Sequence, residues 1–484
     1  MVKIKVLSRS SDDHLRGTAT SLDPVYHNPD PALHPFERSR EYVRALNATK
    51  LDRVFARPFL FALSGHRDGV YALRRHPTDI QFVASGSGDG EIRVWHMPTK
   101  ETRWRVPSAH QGMVRSICYA REDKILSVGT DKLVKLWDPS GSFQTLSDTG
   151  SSYDYEVAAI RSAYANASSM YDERDPNQAP PQASWASEDI LTALDHQRSS
   201  GGGLSHRFAT GSSNQVLVWD YSRSEPVQKF EWGSGSITSM SFNPIETDIL
   251  AASTQDRDVI LYDVRGVTPI RKLSLAMRSN AIAWNPMEPF NVAVANEDSN
   301  CYTFDVRMFN SALCIHQDHV GPVISLDFSP TGREFVTGSY DRTLRLFDHN
   351  AKHSRDAYHT KRMQRIFSVQ FSGDAKFVLS ASDDTNIRVW KSLAAAAVGV
   401  LLPREKQQLD YKHKLMERYK NVPELRRIAH HKHIPKPILQ AQRLKKVIRE
   451  SQARKHRHSY THSRPSQRQV LDKARKRVVV SEEV

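Results

Sequence analysis

The feature that most limits what this 484-residue chain can fold into is a short strand-like segment that recurs seven times. Each copy ends on an aromatic residue, and most alternate in polarity, as in Leu344-Arg345-Leu346-Phe347. The aromatic residues are Trp95, Trp137, Trp219, Tyr262, Phe304, Phe347 and Trp390. Five of the six intervals between them are 42 or 43 residues, which is the period of a four-stranded repeat. The sixth interval, 82 residues, predicts an insertion of about 40 residues, placed at roughly 150–203 in the third repeat.

Polar residues recur at fixed distances before these aromatic residues. The first repeat has His66, Ser85 and Asp89 ahead of Trp95. A catalytic triad would occur once, whereas buried polar groups need partners in every repeat, so the pattern predicts a structural hydrogen-bond network. The predicted network residues are His66, Ser85, Asp89, Trp95, His110, Ser127, Asp131, Trp137, His319, Thr337, Asp341, Phe347, Ser380, Asp384 and Trp390. The repeats ending at 262 and 304 lack the hydroxyl residue, and we expect apolar packing alone to hold them.

The His, Ser/Thr, aromatic and Asp positions together resemble the WD40 repeat. The resemblance implies an all-β seven-bladed WD40 β-propeller over residues 59–392, with an N-terminal arm and an α-helical, basic C-terminal extension. No outer strand follows Trp390, so we expect Phe59–Leu63 to complete the last blade. Closure of the ring in this way leaves no exposed sheet edge between the first and last repeats.

The positive charge of the chain lies almost entirely in its C-terminal part. Residues 403–484 contain 23 Lys/Arg and 8 Asp/Glu, a net charge of +15, whereas the whole chain has +14. Like charges oppose compaction, so such an imbalance indicates a polyanionic partner. The candidate RNA-binding residues are Lys436, Arg443, Lys445, Lys446, Arg449, Arg454, Lys455, Arg457, Lys473, Arg475, Lys476 and Arg477. Nuclear import alone is the alternative explanation for these basic clusters.

The segments outside the repeats are predicted to be an arm at 1–58 and a basic helical domain and tail at 393–484. Helices are expected over 35–50 in the arm, and over 404–421, 424–431 and 438–449 in the tail. In the last of these helices, Leu444, Val447 and Ile448 form one apolar stripe. We expect that stripe to dock onto the propeller or a partner, so that the basic residues face phosphates.

Several classes of protein are disfavoured by the composition. The longest apolar run, Leu393–Leu402, is too short for the roughly 20 residues that cross a bilayer. Three cysteines without C-x-x-C spacing exclude a disulfide framework and a cysteine zinc site. His430, His431 and His433 lack accompanying ligands, so no metal is expected. We likewise expect no catalytic residue, no cofactor, no small-molecule substrate and no membrane partner.

Two motifs resemble the Sof-type WD40 proteins more specifically than the repeats do. The first is DPALHPF at 30–36 followed by EYVRALNATKL at 41–51. The second is VPELRRIA at 422–429 followed by HIPKPI at 433–438, which is similar to the C-terminal domain of that family. Arm, repeats and tail together extend the resemblance over nearly the whole chain.

The resemblance implies a non-enzymatic ribosome-biogenesis factor of the nucleus and nucleolus. It implies a scaffold of the small-subunit processome (the 90S pre-ribosome), required for processing of pre-rRNA to 18S rRNA. The implied partners are pre-rRNA, the box C/D snoRNP and other processome proteins, with a single copy of this chain in a large ribonucleoprotein. The propeller would bind proteins and the basic tail RNA.

An alternative role also follows from the resemblance, because the metazoan branch of the family serves as a substrate receptor of a cullin-RING ubiquitin ligase. That role is attached to W/Y-D-x-R motifs. Two segments match loosely, with Tyr262, Asp263 and Arg265 in the first and Phe304, Asp305 and Arg307 in the second. Ordinary strand-end geometry is the other explanation for both segments.

Overall fold

The computed structural model describes residues 30–33, 36–139, 181–198, 204–231, 235–266, 268–464 and 478–483. The chain forms two compact units. One unit combines the N-terminal residues up to Pro58 with Leu393–His433, and the other combines Phe59–Ser392 with the chain from Ile434 onward. The segment 393–484 is divided between the two units at 433/434.

The larger unit is a seven-bladed β-propeller, as the repeats predict. Its first strand, β1, is Phe59–Leu63. Blade one contains β2 to β5, which are Val70–Arg75, Phe82–Ser87, Ile92–His96 and Glu101–Val106. Blade two contains β6 to β9, which are Val114–Tyr119, Ile125–Gly129, Leu133–Trp137 and Ala183–Ala186. Blade three contains β10 to β13, which are Ala193–Arg198, Leu204–Gly211, Val216–Asp220 and Gln228–Phe230.

The remaining blades follow in chain order. Blade four contains β14 to β17, which are Ile237–Phe242, Ile249–Thr254, Asp258–Asp263 and Pro269–Leu275. Blade five contains β18 to β21, which are Ser279–Trp284, Asn291–Asn296, Asn300–Asp305 and Ala312–Gln317. Blade six contains β22 to β25, which are Val323–Phe328, Glu334–Ser339, Leu344–Asp348 and Asp356–Tyr358. Blade seven contains β26 to β28, which are Ile366–Phe371, Phe377–Ser382 and Ile387–Lys391.

Blade seven is completed by β1, which pairs antiparallel with β28, so the predicted closure of the ring is confirmed. The innermost strand of each blade contacts the innermost strand of the next, and β26 contacts β2. The blades share apolar cores in which the aromatic residues that end each third strand are buried. Alternation along the strands directs one face of each sheet into a neighbouring blade.

The long interval between the second and third repeats is placed differently from the prediction. Strands β9 and β10 lie at residues 183–198, inside the segment assigned to a loop insertion in blade three. Because β9 pairs with β8, the extra residues enter blade two between its third and fourth strands. Residues 140–180, which make up most of the expected insertion, lie outside the described residues.

One strand was not expected from the sequence. Residues Val479–Glu483 form β29, which pairs antiparallel with β17 and makes blade four five-stranded. Partly buried Val478 and Val479 pack against the core of blades four and five. Arg271 and Lys272 of β17 approach Glu482 and Glu483 at 3.4 and 4.0 Å. The C-terminal residues thus cover the outer edge of this blade.

The smaller unit is helical. It contains α1 (Glu37–Val54), α2 (Pro403–Arg418) and α3 (Pro423–Ala429). Ala45, Leu415 and Leu425 are buried together between the three helices. The Tyr419 hydroxyl donates to Glu41 at 3.0 Å. The N-terminal arm therefore packs with the first half of the tail as one unit.

The helix boundaries follow from proline. Pro403 and Pro423 occupy the first positions of α2 and α3, where a missing N–H costs nothing. The fourth helix, α4 (Lys436–His462), has Pro437 in its first turn and belongs to the propeller unit. It extends 13 residues beyond the predicted end at Arg449. Short 3-10 turns lie at Pro31–Leu33, Arg121–Asp123 and Val306–Met308.

Candidate nucleic-acid interface

Helix α4 is attached to the propeller by polar side chains. Gln442 donates to the carbonyl of Asp318, in the segment between blades five and six. Arg449 donates to Gln317 at 2.7 Å and to Asn300 at 3.1 Å. These side chains recur at helical spacing on one side of α4, so the helix is held in one rotational setting.

Lys445 is the central anchor of this contact. Its ammonium donates to the Ser299 hydroxyl at 2.5 Å and to the carbonyls of Asp298 and His319 at 3.2 and 3.3 Å. Burial lowers the pKa of Lys445, with a further contribution from neighbouring Arg449. Its three acceptors occupy all three ammonium protons, which compensates for the loss of water around a half-buried charge.

Of the two expected docking sites for the apolar stripe, the propeller or a partner, the structure excludes the propeller. The apolar stripe does not dock on the propeller: Leu444, Val447 and Ile448 are 63%, 55% and 48% exposed. The sequence prediction assumed that burial of apolar area would decide the docking face. Hydrogen bonds decide it instead, because backbone carbonyls and polar side chains of residues 298–300 and 317–319 accept from the long donor side chains of α4.

The candidate RNA-binding residues accordingly divide into three groups. Lys445 and Arg449 bind the propeller, so their assignment to phosphate contacts is corrected. The candidates that lie exposed on α4 are Lys436, Arg443, Lys446, Arg454, Lys455 and Arg457. Lys473, Arg475, Lys476 and Arg477 lie outside the described residues.

Four of the exposed cations share one side of α4. With 3.6 residues per turn, Arg443, Lys446, Arg454 and Arg457 fall within about 80° of one another around the helix axis. Glu450 lies among them and approaches Lys446 at 3.9 Å. We call the four cations the basic flank. Beyond Glu450 nearly every described α4 side chain is exposed, which leaves about 20 Å of basic helix accessible to a partner.

The recurring His, Ser/Thr and Asp residues form internal networks, as predicted. In blade two His110 contacts Ser127 at 2.7 Å and Asp131 at 2.9 Å, and Trp137 donates to the same Ser127 hydroxyl. The pKa of Asp131 falls to about 2, because hydrogen bonding and charge from His110 outweigh the effect of burial. In blade six His319 bridges Thr337 and Asp341 in the same way. Phe347 takes the place of the tryptophan there and offers no donor.

Blade one departs from the predicted network in one residue. His66 contacts Ser85 at 2.7 Å, but its other ring nitrogen meets Glu91 at 3.0 Å and not Asp89. Arg93 and Arg105 also reach Glu91, at 2.8 and 2.5 Å. Burial opposes ionisation of Glu91, but hydrogen bonds from the two arginines outweigh it and lower its pKa. Asp89 only accepts a 3.3 Å bond from the Glu91 backbone.

The other blades vary the pattern. In blade seven Trp390 donates to Ser380, while Asp384 pairs with Arg388. In blade three Trp219 donates to Thr210 at 2.8 Å. The expectation that blades four and five rely on apolar packing alone is wrong. In blade four Asp258 accepts from Ser274, and in blade five Thr303 contacts His316 at 2.8 Å.

The two W/Y-D-x-R segments end the third strands of adjacent blades four and five. Tyr262 and Phe304 are buried, whereas the side chains of Arg265 and Arg307 are 79% and 64% exposed. Each aspartate accepts from the backbone N–H two residues later, at 2.9 Å. These contacts fit the strand-end explanation. They also leave both arginines at the end of the propeller opposite α4, where the loops after the first and third strands emerge.

The described residues contain no group of three or more His, Cys, Asp or Glu side chains that could hold a metal ion. The central channel, about 620 Å³ in volume, has Arg74 and Asp195 in its lining, paired at 2.5 Å, together with Arg75, Arg115, Arg198 and Asp327. No described helix has the length and apolar character needed to span a bilayer.

Two functional features were missed by sequence reasoning. Gln442 anchors α4 but is a common residue on a helix surface, so nothing in the sequence distinguishes it. Strand β29 could have been found, because Val478, Val479 and Val480 form a β-branched run bounded by a serine.

Known proteins match both parts of the chain. Residues 392–479 match the Sof1-like domain, and residues 57–96, 102–138, 311–348 and 358–391 match the WD domain, G-beta repeat. The chain is 41% identical over 459 residues to Protein SOF1 of Saccharomyces cerevisiae, covering 92% of this chain and 88% of the relative. It is 40% and 41% identical over 479 residues to DDB1- and CUL4-associated factor 13 of Danio rerio and Homo sapiens, with 99% of each chain covered.

Proposed function

This chain belongs to the family of WD40-repeat proteins with a Sof1-like domain, and on that premise we propose that it is a non-enzymatic ribosome-biogenesis factor. In this role it is a nuclear and nucleolar scaffold of the small-subunit processome, acting with pre-rRNA and the box C/D snoRNP in production of 18S rRNA. Membership of the family supports the role in ribosome biogenesis. The arrangement of α4 supports the way in which this chain would contact RNA.

The observation that carries the RNA contact is the fixed orientation of α4. Gln442, Lys445 and Arg449 attach one side of the helix to the propeller. The basic flank is thereby held outward, and the helix continues beyond the propeller with exposed cations. A rigid row of cations on a helix suits the phosphates of an RNA backbone. No aromatic side chain lies between the cations of the flank, so base stacking contributes little and sequence preference should be weak.

A charge-neutralised variant tests this contact. The variant Arg443→Gln/Lys446→Gln/Arg454→Gln/Arg457→Gln removes the basic flank without touching the anchors. Each lost phosphate contact lowers the slope of log K against log salt by about 0.7 for single-stranded RNA, so we expect a slope smaller by about 3. The measurement is fluorescence anisotropy of a labelled pre-rRNA fragment between 50 and 300 mM salt, conditions chosen around physiological screening.

The matched control neutralises four exposed cations of the propeller, Arg342, Lys352, Lys361 and Arg362. Both variants change the net charge equally. If the two variants lose equal affinity, binding follows net charge alone and the role of α4 is refuted. Depletion of the protein tests the process separately, since the proposal requires loss of 18S rRNA.

A second function is favoured by one observation, the exposure of Arg265 and Arg307 on adjacent blades. Two of the relatives are named DDB1- and CUL4-associated factor 13, and we infer that this end of the propeller is the surface that would bind DDB1 in a ligase. The variant Arg265→Ala/Arg307→Ala should then abolish co-purification with DDB1 while leaving RNA binding unchanged. Unchanged co-purification would leave only the strand-end role for these residues.

A further inference from the structure

We propose that the outward face of α4 is a protein-docking surface for an amphipathic helix that carries acidic residues along one edge of its apolar face. The surface consists of Leu444, Val447 and Ile448, with Arg443 at its border and Lys446 farther round the helix on the same side. The surface lies on a different side of the helix from the anchors. It shares Arg443 and Lys446 with the basic flank, so an acidic partner and RNA would compete for these two side chains.

The first argument is the fixed exposure of three aliphatic side chains. Leu444, Val447 and Ile448 are each about half or more exposed. Their centre lies about 140° around the helix axis from Gln442, Lys445 and Arg449, as follows from 100° per residue. The anchors therefore prevent the stripe from turning onto the propeller. Because the polar side of α4 binds the propeller, its apolar side remains exposed to water and is suited to bind a partner.

The second argument concerns the geometry of the stripe. Positions 444, 447 and 448 follow the i, i+3, i+4 spacing that forms a ridge on a helix surface. Such a ridge packs into the groove of a second helix, the arrangement used when amphipathic helices bind to apolar surfaces. The three side chains are aliphatic, so they offer no ring on which a nucleotide base can stack. These features favour a protein helix over RNA on this face.

The third argument is the charge beside the stripe. Arg443 is exposed at the border of the stripe, Lys446 is exposed farther round on the same side, and the distal part of the helix adds Arg454 and Lys455. Glu450 is the one acidic side chain of α4. Acidic residues on the partner would meet Arg443 and Lys446, and opposite charges at the rim of an interface favour the correct pairing. The distal cations would remain available to RNA.

The same charge argues against two described helices, α1 and a second copy of α4, as the occupant. Helix α1 exposes Val43, Leu51 and Val54, but it contains five Lys/Arg and three Asp/Glu. Like charge would oppose its docking against Arg443 and Lys446. A second copy of α4 would meet the same repulsion, because both partners would bring the same basic border. An external acidic helix satisfies both the apolar and the charged parts of the surface.

The test uses the full chain and a fluorescein-labelled synthetic helical peptide with leucines at i, i+3, i+4 and i+7 and glutamates on the flanks. A scrambled peptide of the same composition and a peptide with lysines in place of the glutamates are the probes for comparison. We expect the acidic amphipathic peptide to bind at least tenfold more tightly than either. The variant Leu444→Ser/Val447→Ser/Ile448→Ser should lose that preference.

The charge requirement is tested by Arg443→Glu/Lys446→Glu, which should reverse the preference in favour of the lysine peptide. The control variant Val480→Ser/Met277→Ser alters exposed apolar side chains elsewhere in the unit, 70% and 44% exposed, and should bind like the parent. Circular dichroism and melting temperature establish that every variant is folded.

Three results would overturn the proposal. Equal binding of the amphipathic and scrambled peptides would mean that the stripe recognises no helix. Concentration-dependent self-association in sedimentation, lost in the serine variant, would assign the surface to a second copy. Loss of RNA affinity in the serine variant, without any effect on the peptide, would assign the face to RNA.

Discussion

Glu91 supplies the carboxylate that contacts His66 in blade one. Its replacement should therefore lower the free energy of unfolding far more than replacement of Asp89 does. The Glu91 side chain is 2% exposed and receives contacts from His66, Arg93 and Arg105. Glu91→Gln keeps the shape but removes the charge, leaving the nearly buried Arg93 without its carboxylate. Breaking a buried ion pair in this way costs about 3–5 kcal/mol, and we expect about 2–4 because Arg93 retains its 2.7 Å bond to Gly65.

The loss can be converted into a melting temperature. Unfolding entropy of about 2.1 cal/mol/K per residue over roughly 300 ordered propeller residues gives about 1.6 °C per kcal/mol. Glu91→Gln should therefore lower the melting temperature by about 3–6 °C. Asp89→Asn should lower it by about 1 °C, since Asp89 accepts a single backbone bond of about 0.5–1 kcal/mol.

The assay is differential scanning fluorimetry of the full chain at pH 7.5, with both variants measured at one scan rate. Asn and Gln are matched isosteric replacements, so each variant loses one negative charge and little else. An equal or larger loss for Asp89→Asn would refute the assignment of Glu91 as the partner of His66.

Two further predictions concern titration and docking. Burial lowers the pKa of His66 and of His316 to about 4, below their usual value near 6.5, so the unfolded chain binds protons that the folded chain excludes. Stability should be intact above pH 6.5 and fall as the pH drops from 6.5 to 4, and a melting temperature constant between pH 7 and 5 would contradict this. Lys445→Ala removes the central anchor of α4, so backbone amides at 436–450 should exchange hydrogen about tenfold faster while the propeller strands keep their protection. The control is Arg443→Ala, on the exposed side of α4, which should change neither the exchange of amides 436–450 nor the protection of the propeller strands.

Much of the fold could be predicted because its signals are local and repeated. Seven aromatic-ended strands at a constant period specify seven blades, and the lack of a strand after Trp390 indicates the closing partner Phe59–Leu63. Proline at the start of α2 and α3 sets their boundaries for a local reason, the missing N–H. These features depend on periodicity and backbone chemistry, which a sequence displays directly.

The tertiary structure decided the partners of polar side chains. Asp89 and Glu91 are both acidic and two residues apart, and only the positions of Arg93, Arg105 and His66 in three dimensions select Glu91. The docking side of α4 was decided in the same way. Its apolar stripe is evident in the sequence, but the oxygen atoms that accept from Gln442, Lys445 and Arg449 come from blade five and the segment that follows it, more than 100 residues away.

Long-range pairing was also beyond the reach of the sequence. Strand β29 joins β17 across about 200 residues of chain, and β9 joins β8 across the long insertion. The residues of a strand do not identify the strand with which it pairs, because any exposed sheet edge offers the same backbone donors and acceptors. The sequence determined that the chain forms a propeller with a basic helical extension. Only the three-dimensional arrangement determined that one side of that helix binds the propeller, another presents cations, and the third is left apolar and exposed.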